Sequence, residues 1–241
     1  MTIAVGILCS DGVVIATDSC AMSGTKVNNQ PVQIIETSAN KIITIHDDVL
    51  VSVSGNIGIA DRIYNVFKAN FKEIVKDSNS QTEIGVKVYG SVLFEIGRTN
   101  IQFGQGFGCL LAYYEKEEFY LCEFPAQDFQ PEYKSKSICF GSLGVTAFLT
   151  EPLLAYASRI LWKNELPTVE QATLIGAWSV KFAIDFNVSG IRGPIQIAKL
   201  CKNKTTNKIE THHFDQAGIA TIMDRVKSFE DHIQSFSNNR I

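Results

Sequence analysis

Met1-Thr2-Ile3-Ala4-Val5-Gly6-Ile7-Leu8-Cys9, then Ser10-Asp11-Gly12, then Val13-Val14-Ile15-Ala16-Thr17-Asp18-Ser19 open the chain. The two apolar runs are rich in β-branched residues, which suit a pleated surface, and the Asp-Gly between them supplies a tight turn. The stretch predicts a β-hairpin that begins at the second residue. That residue is a threonine. Removal of Met1 leaves Thr2 with a free α-amine, of pKa about 7.7–8.0, beside its own hydroxyl. An N-terminal amine can act as the base that activates such a hydroxyl. Many chains begin Met-Thr, and a threonine in a first strand often only fills a β position. The rest of the chain must decide.

Outward from the hairpin, Ser23 to Gln30 is polar and reads as a loop, with a short strand at Val32 to Glu36. Lys41 to His46 and Val49 to Ser54 flank Asp47-Asp48 and predict a second hairpin, ended by Gly55. The period then changes. Ala60, Ile63, Tyr64, Phe67, Phe71, Ile74 and Val75 recur at steps of three and four, a helix from about Ile57 to Lys76. Ile84, Val88, Val92 and Ile96 give a second helix. A third hairpin spans Cys109 to Phe124, and a strand-like run covers Ser135 to Phe140 before Gly141-Ser142-Leu143-Gly144. Helical spacing resumes through Phe148 to Leu161, with Pro152 marking a helix start or kink. Another helix opens at Pro167-Thr168-Val169-Glu170 and runs to about Asp185. Strands at Pro194 to Cys201 and Lys208 to Phe214 precede a final helix from about Gln216 to Phe236. Strands in antiparallel hairpins and helices in pairs argue for an α+β fold built of packed hairpin sheets, not a wound βαβ fold.

The 241 residues fit one large domain or two small ones. Hydrophobic residues make up 45%, enough for a sizeable core, and the net charge of −3 with no basic run gives no reason to expect nucleic acid or an anionic membrane as partner. The six cysteines are scattered, with no CxxC pair or Cys/His cluster, so neither a metal site nor a cofactor is expected. No stretch reads as a signal peptide or as a membrane span, and a cytoplasmic protein is the expectation. His46, His212, His213 and His232 read as surface residues.

Taken together, Thr2, Asp18-Ser19 at the end of the second strand with Gly24 just after, Lys41, Ser54-Gly55, Gly141-Ser142 before a helix, and Asp185 with Ser189-Gly190 after another helix form a recognisable set. In order and element context it resembles the proteasome β-subunit type of N-terminal nucleophile (Ntn) hydrolase, over most of the chain. The resemblance implies a four-layer αββα sandwich of two antiparallel sheets flanked by helical pairs. It implies a proteasome-like domain over residues 1–215, with 216–241 a C-terminal helix packed on it or on a neighbouring subunit.

The resemblance also implies a site. Lys41 beside Asp18 would hold the Thr2 hydroxyl and ease its ionisation. The Gly55 amide would meet the oxyanion. Ser142, Asp185 and Ser189 would order the amine and a water. Met22 would help bind substrate backbone, and Val53 would line the pocket for the residue before the cleaved bond. The expected protein is a threonine peptidase acting on unfolded peptide or protein, assembled as a homo-oligomeric ring or stacked rings, with an ATPase unfoldase as a possible partner. Two rivals remain: a catalytically silent scaffold or binding subunit that retains Met1, and an amidase acting on a small molecule.

Overall fold

The first hairpin forms as its sequence predicts: β1 (Ile3–Leu8) and β2 (Gly12–Asp18) pair antiparallel, with Leu8 opposite Val13 and Ala4 opposite Thr17. The structure is a computed structural model that describes residues 2–27, 30–98, 106–144, 146–186, 190–203 and 205–238, with backbone alone described at 22–27, 30–35 and 236–238. The remaining strands are β3 (Cys20–Val27), β4 (Gln30–Ser38), β5 (Ile42–Ile45), β6 (Val49–Ser54), β7 (Gly108–Glu115), β8 (Glu118–Phe124), β9 (Glu132–Tyr133), β10 (Phe140–Gly144), β11 (Ile195–Lys202) and β12 (Ile209–His213). The helices are α1 (Ile57–Lys76), α2 (Gln81–Gly97), α3 (Ala147–Tyr156), α4 (Val169–Asp185) and α5 (Gln216–Asn238).

Two five-stranded antiparallel sheets form, in the orders β10-β1-β2-β11-β12 and β5-β6-β7-β8-β9. Alternation within the second sheet shows why they stack. Leu50, Leu110, Ala112 and Leu121 turn toward the first sheet and join the core that holds β1, β2 and β11. Their neighbours Val49, Val51, Cys109, Leu111, Tyr113 and Cys122 turn the other way, onto Ile63, Phe67 and Phe71 of α1 and Val88 and Val92 of α2. Both faces of each strand are therefore buried, which is why these strands read as continuous apolar runs. The outer face of the first sheet is covered by α4, whose Ala172, Ile175, Ala177, Val180 and Ala183 are buried, and Ile222 and Val226 of α5 add to the same core. The layers are helices, sheet, sheet, helices, as the resemblance implies.

Local signals set the helix starts. Asn56 accepts from the Gly58 N–H at 2.8 Å to cap α1. Thr168 and Gln171 form a reciprocal capping box on α4, and Asp11 of the first turn accepts from Val169 N at 2.8 Å, tying that helix to the hairpin. Pro152 lies inside α3, which runs on into a π-helical turn at Ala157–Leu161.

Two expectations are corrected. The polar stretch read as a loop is a hairpin, β3 and β4 pairing from Cys20 opposite Ser38 to Val27 opposite Gln30, outside both large sheets. The ribbon joins neither sheet, and the polar run from Ser23 to Gln30 lacks the alternating apolar pattern that announces a strand. The strand placed at Ser135 to Phe140 is shifted: β10 is Phe140–Gly144, and the glycine-rich segment is itself paired to β1, Gly141 opposite Gly6. All six cysteines are free, five of them buried. Among the described residues no helix is long and apolar enough to cross a membrane, and no His/Cys/Asp/Glu cluster could hold a metal ion.

Candidate active site

The site grows from the register of β1 against β2. With Ala4 opposite Thr17, the next step sets Ile3 against Asp18. Both main-chain groups of Ile3 are then held by side chains from β2: its N–H donates to Asp18 Oδ1 at 3.0 Å, and its carbonyl accepts from Thr17 Oγ1 at 2.6 Å. Thr2 is thereby delivered to a fixed place, and it is buried.

Asp18 is fully buried and works as a hub. Lys41 Nζ donates to Oδ1 at 2.8 Å, the oxygen that also accepts from Ile3. Oδ2 accepts from Cys20 N at 3.0 Å. A buried carboxylate costs free energy unless it is paired and hydrogen-bonded, and this one is both. The Lys41 side chain is 9% exposed. Burial holds its ammonium below the usual lysine range, and the Asp18 carboxylate offsets only part of that.

Lys41 comes just before β5, whose Ile42 pairs with Ser52 of β6. The same sheet end therefore carries Ser54 and Gly55. Ser54 is buried and accepts from Gly108 N at 3.1 Å. Gly55 is exposed, with φ +122°, and a Cβ there would lie 2.8 Å from Phe107 Cβ, so the turn needs glycine. Val53, beside it, packs into the core under α1 and is 4% exposed. Ser142 stands on β10 opposite Val5, buried, its hydroxyl 2.6 Å from Thr150 Oγ1 of α3.

The structure joins Thr2, Asp18 and Lys41 through Ile3, sets Ser142 on the strand beside β1, and sets Gly55 at the Lys41 end of the second sheet. It does not join Asp185 to them. That side chain is 57% exposed at the end of α4 and pairs with Lys181 at 2.5 Å, while Lys181 also meets Glu230 of α5. Ser189 lies outside the described residues, as does the side chain of Met22, whose backbone pairs with Glu36. Sequence reading missed Thr17 and Thr150. Thr17 was recoverable, because the Asp-Gly turn fixes which β2 residues face Ile3. Thr150 carried no signal, since its role needs the packing of α3 against β10.

Residues 2–150 match the family model for proteasome subunits. No curated protein matches the chain. Among solved structures, Anbu (ancestral β-subunit) from Yersinia bercovieri superposes with a TM-score of 0.71 at 14% identity, over 99% of this chain and 97% of that one. An Anbu (Gly-1) mutant from Hyphomicrobium sp. strain MC1 gives 0.70 at 13%, over 100% and 99%. The helical assembly of the Anbu complex from Pseudomonas aeruginosa gives 0.64 at 14%, over 97% and 96%. At these identities the likeness is one of fold.

Proposed function

The chain belongs to the proteasome subunit family, and from that premise we propose that it is a threonine-type peptidase whose nucleophile is Thr2 after removal of Met1. The observation that carries the reading is the shared oxygen of Asp18, which binds the Lys41 ammonium and the amide directly following Thr2. A cation held there lowers the cost of negative charge on the Thr2 hydroxyl oxygen. The α-amine of Thr2 takes the hydroxyl proton. Oγ attacks the peptide carbonyl, and the Gly55 N–H meets the oxyanion, a donor worth roughly 3–4 kcal/mol. The amine proton passes to the departing amine of the substrate, and water then hydrolyses the acyl-threonine ester. Ser142 and Ser189 order the water and the amine in this reading. Asp185 does so only if its contact with Lys181 is exchanged.

The substrate is an unfolded peptide, with a medium apolar side chain before the cleaved bond beside Val53 and backbone held near Met22. The working form is a homo-oligomer in the cytoplasm, in which residues 1–215 carry the site and α5 packs alongside. An ATPase unfoldase would feed it.

The test is intact mass of untagged protein, followed by a peptide epoxyketone, which needs the hydroxyl and free amine of one residue. Loss of one methionine, one adduct per chain, and no adduct with Thr2→Ala are the expected results. Retained Met1 and no adduct would reject the peptidase and leave the silent subunit.

A further inference from the structure

Lys41 lies in the passage between β4 and β5, outside any strand ladder, so its own N–H and carbonyl have no ladder partner. Each is met by a side chain from a different layer. Gln196 of β11 accepts from Lys41 N at 2.9 Å through Oε1 and donates to Ala39 O at 2.7 Å through Nε2. Only this orientation of the amide satisfies both bonds; the flipped one sets donor on donor and acceptor on acceptor. Tyr64 of α1, itself buried, donates its hydroxyl to Lys41 O at 3.2 Å. Burial pushes that phenol well above the usual tyrosine range, so it remains a donor.

We infer that Gln196 and Tyr64 are positioning residues that clamp the Lys41 backbone from the two outer sides of the site, so that its ammonium reaches Asp18 Oδ1 in one geometry. The inference rests on the peptidase reading for its effect on turnover, and on the geometry alone for its effect on Lys41. The Lys41 side chain has four rotatable bonds, and an anchor free at its Cα spreads the ammonium over several positions. Gln196 comes from the strand that pairs with β2, Gln196 opposite Thr17, so this half of the clamp is built on the strand hydrogen-bonded to the one that carries Asp18. Cation and carboxylate are thus referred to one rigid frame. Displacement of a catalytic group by about 1 Å costs up to roughly a hundredfold in rate.

Gln196→Met and Tyr64→Phe keep volume and remove the hydrogen bonds. In protein carrying 13Cε-labelled lysine, with the Lys41 signal assigned by its loss in Lys41→Arg, each variant is expected to broaden that signal or move it toward the exposed lysines. With peptide substrate, kcat is expected to fall roughly ten- to hundredfold while KM stays within about twofold. A Lys41 signal unchanged in both variants overturns the inference. So does a loss of kcat that only tracks a loss of melting temperature. If the wild type has no turnover but the Lys41 signal moves in the variants, the peptidase reading fails and the clamp stands.

Discussion

Asp18 accepts three donors with no exposure to water, which makes it the least replaceable carboxylate of the site. Asp18→Ala strands the Lys41 ammonium and two main-chain N–H groups in the interior. Breaking such a pair by removing one partner costs about 3–5 kcal/mol, so urea unfolding should show a loss of that size, and the opening strand should loosen. Lys41 predicts a pH effect of definite sign. Its folded pKa lies below the ordinary value of 10.5, because burial outweighs Asp18. Between the two values the unfolded chain binds more protons than the folded one, so stability rises with pH across that window. The stability of wild type minus that of Lys41→Met, measured by urea unfolding from neutral pH to about 10.5, isolates this contribution and should increase. A flat or falling difference would mean that Lys41 is not desolvated as described. At this scale Thr2 was legible from its place at the start of the first hairpin, and Asp18 and Lys41 only through the family resemblance. The sequence was silent on Gln196 and Tyr64, which matter only because β11 and α1 arrive from distant parts of the chain.

Elements position the site through register, and one residue exposes how tightly. Gly144 ends β10 opposite Ile3 with φ +103°, and a Cβ there would stand 1.7 Å from the Thr2 carbonyl oxygen. No side-chain adjustment relieves a backbone clash of that kind. Gly144→Ala should therefore displace the start of β1, lower the melting temperature, and prevent epoxyketone labelling of Thr2; labelling at the wild-type rate would refute this close approach. The hairpins and helices with a buried face were legible because burial imposes a period of 2 or 3.6 on their apolar residues. Where the sequence carries no such period, the structure departs from the expectation. The polar run of the β3–β4 ribbon reads as a loop, and β10 falls later than expected because its glycines, which permit close packing against β1, read as punctuation. Asp185 is a separate case. The resemblance implies a site role for it, and the structure shows it in a helical ion pair with Lys181 four positions earlier on α4.

At the scale of the whole molecule, the layered core leaves large apolar side chains outside it. Phe94 on α2 is 74% exposed, and Phe148 on α3 and Phe186 after α4 are 66% and 60% exposed. These lie at opposite sides of the sandwich, on α2 over the second sheet and on α3 and just past the end of α4 over the first. Monomeric proteins seldom leave several large rings on display in this way, and rings on two opposite faces allow each copy to contact two neighbours. Light scattering should therefore give a mass well above the 26.6 kDa of one chain, falling on dilution. Phe94→Asp and Phe148→Asp each place a charge on one face while leaving the buried core untouched, so each should cap assembly at a smaller species without changing the unfolding midpoint of the isolated subunit. The double variant should be a monomer. If both single variants assemble as the wild type does, the contacts lie elsewhere and the exposed rings serve another surface. If only one has an effect, that face is an interface and any second contact is made without the other ring.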